Sequence, residues 1–111
     1  MDRRLWLRGL VAAVLTLAVG AAGAAGQTTH QVAQKGKRFA PSELVVQAGD
    51  TVAFRNDDAV VHNVFTASAG FEFNLKRQPP GSSGLATFAE PGTVQVRCAI
   101  HPTMKLKITV K

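Results

Sequence analysis

Downstream of residue 27, apolar and polar side chains alternate with a period of two in short runs broken by turn residues, which marks strands rather than helices. Leu44-Val45-Val46 leads into Ala48-Gly49-Asp50, and Thr51-Val52-Ala53-Phe54-Arg55 stops at Asn56-Asp57-Asp58. Residues 60–66 form another β-branched and aromatic run, and residues 85–88 precede Glu90-Pro91-Gly92, a strong turn signal. Residues 93–98 and 105–110 alternate most cleanly. Val94, Val96 and Cys98 share one face there, as do Leu106, Ile108 and Val110, while Gln95, Arg97, Lys105, Lys107 and Thr109 take the other. The spacing predicts an all-β, antiparallel sandwich of about six to eight short strands. Residues 70–84, with Pro79-Pro80-Gly81, read as an irregular loop holding one short strand near 71–75 at most.

Residues 1–26 break this pattern. Arg3, Arg4 and Arg8 form a positive head, residues 10–19 an apolar run, and small residues follow, with Ala22-Gly23-Ala24 or Ala24-Ala25-Gly26 as the cleavage site. This layout predicts an export signal, removed to leave a domain of residues 27–111 in the periplasm or otherwise outside the cell. The paired arginines also resemble a twin-arginine signal, which suits a protein exported folded with its cofactor. An uncleaved anchor over residues 5–25 is the competing reading, and its Ala/Gly-rich second half favours cleavage.

The 111 residues suffice for one small domain. The net charge of +6 falls to about +4 once Asp2 and three arginines leave with the signal. No basic run interleaves with aromatics, so the charge does not read as nucleic-acid binding. A basic rim that steers a monomer toward an acidic protein partner suits it better, with a merely soluble surface as the default.

A single cysteine excludes an internal disulfide framework and any multi-cysteine zinc or iron–sulfur site. Three histidines are too few for a cluster of several copper ions. Neither a paired-carboxylate site nor a Ser/His/Asp arrangement is visible, so the chain does not read as an enzyme. What stands out is Cys98-Ala99-Ile100-His101-Pro102-Thr103-Met104, a Cys-x2-His-x2-Met loop between the two clearest strands, with His62 upstream in Val60-Val61-His62-Asn63-Val64-Phe65.

Taken singly, Cys98 reads as a small buried hydrophobe, His62 as a hydrogen-bonded structural histidine and Met104 as core filler. His30 lies outside the cluster and reads as exposed and incidental. Together, two imidazoles, a thiolate and a thioether make the His2Cys set with a weak axial Met that holds a blue copper ion. Soft sulfurs favour Cu(I) and imidazoles suit Cu(II), so one ligand set serves both oxidation states. Pro102 stiffens the loop beside His101.

Gly49-Asp50-Thr51-Val52-Ala53-Phe54-Arg55-Asn56, His62-Asn63-Val64, Pro91-Gly92-Thr93 and the Cys98–Met104 spacing resemble the small blue (type 1) copper proteins, the cupredoxins. The resemblance runs from Phe39-Ala40-Pro41 to Val110 and is nearer to amicyanin than to plastocyanin in the last loop. It implies a Greek-key β-sandwich with one copper ion held by His62, Cys98, His101 and Met104. It further implies that Asn63 ties the ligand segments together and that His101 has its ring edge in an apolar surface patch, to which Ala40, Pro41, Pro79 and Pro102 contribute. Ala99 stands where relatives often carry a hydroxyl or carboxyl, which leaves Asn63 only backbone to bond there, and tyrosine is absent. The expected function is a periplasmic one-electron carrier between redox proteins. Copper delivery or buffering, or a metal-free interaction domain, stay open as alternatives.

Overall fold

The computed structural model describes residues 27–111. The export signal therefore lies outside the described residues. Nine strands form: β1 (Thr29–Gln34), β2 (Phe39–Ala40), β3 (Glu43–Val46), β4 (Thr51–Asn56), β5 (His62–Thr66), β6 (Phe73–Gln78), β7 (Ser83–Thr87), β8 (Gly92–Arg97) and β9 (Lys105–Val110). They build two sheets, one ordered β2-β1-β4-β7 and the other β3-β9-β8-β5-β6.

The parity read from the sequence is realised. Val94, Val96, Leu106, Ile108 and Val110 are buried, while Gln95, Lys105 and Lys107 are exposed. Val32, Val52 and Phe54 of the facing sheet complete the core. A chain of phenylalanine rings, Phe39–Phe54–Phe73–Phe88, crosses it with centroids 6.4, 6.1 and 5.8 Å apart, two of the three contacts edge-to-face. Each fully buried aliphatic or aromatic side chain contributes about 1.5–3 kcal/mol of transfer free energy.

Three expectations need correcting. Not every pair is antiparallel: β1 lies parallel to β4 (Thr29↔Thr51 to Gln34↔Asn56) and β3 parallel to β9. After the β1–β2 hairpin the chain crosses to the second sheet as β3 and returns as β4 beside β1, and such a crossover makes neighbours parallel. Residues 70–84 are not an irregular loop but hold six-residue β6 and the start of β7. Lys76 takes a left-handed φ of 63° and the β5–β6 register shifts between Asn63 and Phe65, so β6 lacks the even alternation that would announce it. His30 is neither exposed nor incidental. Its ring is largely covered and Nε2 lies 2.9 Å from Oδ2 of buried Asp50, whose carboxylate also accepts from the Thr28 and Gln47 N–H groups. The His30 bond, then those N–H groups, hold Asp50 below the ordinary carboxylate pKa. That pair fastens the start of β1 to the start of β4.

Candidate metal centre

β8 lies between β9 and β5 in one sheet and is antiparallel to both, so the end of β8 and the starts of β9 and β5 meet at one edge. Continuing the inward-facing rows past β8 and β9 gives Cys98 after Val94 and Val96 and Met104 before Leu106 and Ile108, while His62 opens β5 two residues before Val64 on its inward row. All three are buried, Met104 and His62 completely. The cluster caps the end of the hydrophobic core, and its location follows from the pleat.

His101 comes from the β8–β9 loop. The Met104 N–H donates to the His101 carbonyl at 2.9 Å, closing a four-residue turn with Pro102 at its second position. Proline suits that corner because its φ is already set. The turn folds His101 back over Cys98 and leaves its ring partly exposed, whereas His62 behind it is sealed off.

His62 Nδ1 and His101 Nδ1 are 3.1 Å apart and lie 3.9 and 4.0 Å from Cys98 Sγ. A triangle with those sides has a circumradius of about 2.1 Å, so one point is equally near all three atoms at an ordinary metal–nitrogen or metal–sulfur bond length of roughly 2.0–2.3 Å. One thiolate and two imidazoles around such a point, with a thioether in the same loop, match copper by donor chemistry as well as by size.

The surrounding bonds keep the donors in place. The Asn63 N–H donates to Cys98 Sγ at 3.4 Å. Asn63 Oδ1 accepts the Ala99 N–H at 3.1 Å, while its Nδ2 donates to Asn74 Oδ1 at 2.9 Å and the Lys76 carbonyl at 3.3 Å. Asn63 thus ties the His62 strand to the Cys98 loop, and since residue 99 is alanine it reaches only backbone there. Pro102, Ala40, Pro41 and Pro79 are all exposed. Ala40 and Pro41 line a groove together with Thr103 of the ligand loop.

One residue of the site carries no signal in the sequence. Asp58 Oδ2 accepts from His62 Nε2 at 2.7 Å, and the pair is nearly enclosed. The His62 bond foremost, then the Lys37 and Gly36 N–H groups, lower the Asp58 pKa to about 2. Because an ionised carboxylate only accepts, the ring proton sits on Nε2 and the Nδ1 lone pair faces Cys98 and His101. Asp58 reads along the chain as an ordinary turn residue, and only the reversal at residues 57–61 brings it beneath the ring.

The comparisons agree with this geometry. A family model described as a cupredoxin-like domain matches residues 8–110. Amicyanin of Paracoccus denitrificans is 36% identical over 77 residues, covering 67% of this chain and 59% of its own. Amicyanin-alpha of Methylorubrum extorquens is 33% identical over 107 residues, covering 89% and 88%. A reduced amicyanin variant superposes with a TM-score of 0.69 at 30% identity, over 75% of this chain and 82% of that one. Strand layout, donor triangle and sequence likeness agree: the chain belongs to the cupredoxins, the small β-sandwich proteins that bind one copper ion.

Proposed function

We propose that the chain is an exported one-electron carrier, with residues 1–26 as a cleaved export signal and His62, Cys98, His101 and Met104 as the residues that would hold a copper ion. The donor triangle carries this reading, since its equidistant point lies at bonding distance from three buried or half-buried donors. When bound, the copper supplies a Cu(I)/Cu(II) couple. The chain does the rest: two sheets and the Asn63 bonds fix the donors, so little has to rearrange when an electron moves. Of the four side chains only His101 reaches the surface, which makes its ring edge the way in and out.

The partner side is supported by a groove of about 440 Å³ beside the ligand loop, lined by Arg38, Phe39, Ala40, Pro41, Ser42, Thr103 and Lys105. Its lining sets apolar Phe39, Ala40 and Pro41 beside the cations Arg38 and Lys105. Arg97 stands directly opposite Lys105 at the last rung of the β8–β9 ladder, so two cations flank the loop. A redox protein presenting carboxylates around an apolar spot would complement both. Export to the periplasm agrees with the arginine-headed leader, and among the described residues no helix is long and apolar enough to cross a membrane.

Voltammetry of the copper-loaded protein, run beside a copper-transfer assay to a chelating acceptor, tests the assignment. A fast, reversible one-electron wave with the metal retained supports a carrier. Ready release of copper with a sluggish or irreversible wave would favour delivery or buffering instead.

A further inference from the structure

The geometry points to Asp58 as a positioning residue for the copper centre, one that presents His62 with Nδ1 bare and biases the couple toward Cu(II), and that is itself held by the Gly36–Lys37 turn. The inference rests on the ligand assignment proposed above.

Asp58 is fixed from three sides. The Gly36 N–H donates to Oδ1 at 2.7 Å and the Lys37 N–H to Oδ2 at 2.9 Å, while the Asp58 N–H donates to Asn56 Oδ1 at 2.9 Å. Gly36 and Lys37 have φ of 62° and 58°, and Lys35 and Arg38 exchange both backbone bonds across them. This is a two-residue hairpin of the primed type, with two N–H groups directed at one carboxylate. Asn56 in turn donates to the Gln78 carbonyl at 2.9 Å, and Gln78 is the strand partner of His62. The acceptor beneath the His62 ring therefore has little freedom to swing away, and the ring cannot flip without losing a 2.7 Å bond.

An anionic acceptor at Nε2–H pushes electron density through the imidazole and places a negative charge on the far side of the ring. Both effects favour the more highly charged metal. Partners of this kind, when removed, typically lower metal affinity by about 10- to 100-fold. If the loss falls mainly on Cu(II), each tenfold corresponds to about 59 mV in a one-electron couple. An amide at this position keeps an acceptor for Nε2–H but sheds the charge, whereas a methyl group removes both.

The test compares wild type, Asp58→Asn and Asp58→Ala for potential, for Cu(II) and Cu(I) affinity, and for melting of the metal-free form. Expected is a higher potential in both variants, about 59 mV for a tenfold loss of Cu(II) preference and more for the alanine than for the asparagine. Unchanged potentials and affinities, with only a lower metal-free melting temperature, would reduce Asp58 to a turn anchor and overturn the inference while leaving the copper assignment intact. Failure of the wild type to bind copper would overturn both. Nitrogen NMR of the Cu(I)-loaded wild type needs no variant. A proton bonded to His62 Nε2 is expected there, and an unprotonated Nε2 would contradict the arrangement even if the substitutions prevent folding.

Discussion

Asn63→Ala is the sharpest test of how this fold holds its donors. The substitution leaves the Asn63 N–H donating to Cys98 Sγ and removes three side-chain bonds, to the Ala99 N–H, to Asn74 Oδ1 and to the Lys76 carbonyl. Each intramolecular bond contributes about 0.5–1.5 kcal/mol net, so three give about 2–3 kcal/mol, allowing for easier rehydration of the partners nearest the surface. In a domain of this size 1 kcal/mol shifts the melting temperature by roughly 4–8 °C, which puts the expected fall at about 10–20 °C. The assay is thermal unfolding of the metal-free proteins followed by circular dichroism, with Asn63→Asp in parallel. The aspartate retains the acceptor for the Ala99 N–H but turns an oxygen toward two oxygen acceptors, so it should melt below wild type as well. The β5–β6 bulge should loosen too, because the Lys76 N–H already bonds Asn74 Oδ1 at 2.7 Å and that amide is itself fixed by Asn63. An alanine variant melting within a degree or two of wild type would refute the claim that this side chain fastens the ligand loop to β5.

Three further outcomes follow from the same structure. Copper should raise the melting temperature of the wild type, because a ligand that binds only the folded state stabilises it by mass action, and chelation should return the lower value. Equal melting temperatures with and without the metal would contradict that. The lowered pKa of Asp58 makes the metal-free protein acid-sensitive: its contribution is fully present above the ordinary carboxylate pKa of 3.8 and is lost as pH falls through about 2. Wild type should therefore lose more stability than Asp58→Asn over that interval, and parallel curves would rule this out. Gly92→Ala should destabilise by roughly 1–3 kcal/mol in chemical denaturation, since a Cβ there would lie 2.7 Å from the Phe71 ring and the backbone φ of 151° disfavours a side chain.

The parts of the fold set by local alternation were legible along the chain. The inward row of β8 pointed to a buried Cys98 at its end, and the row of β9 extends backward to Met104 by the same parity. Strand partners were not legible, because alternation fixes which face a residue takes but not which neighbour it meets. Hence the parallel pairs β1–β4 and β3–β9 emerge only in three dimensions. β6 was hidden because Lys76 steps out of the extended region and the Asn63 and Asn74 side chains, rather than even pleating, hold it in place.

At the metal centre, residue type and spacing exposed the donors, while the acceptors behind them were silent. Asp58 and Asp50 both sit in turns, where an acidic residue is ordinary, yet each bonds a histidine from another part of the chain. His30 looks incidental along the chain for the same reason: its partner lies 20 residues away, brought near by the parallel β1–β4 pairing.

The most direct test of the central claim is the absorption and electron-paramagnetic-resonance spectrum of the protein titrated with Cu(II). One equivalent should bind and give an intense blue or green thiolate-to-copper band, with the narrow copper hyperfine splitting of a type 1 site. Cys98→Ser should abolish the band, while substitution of His30 should leave it in place. A colourless Cu(II) complex, or a spectrum indifferent to Cys98, would contradict the account.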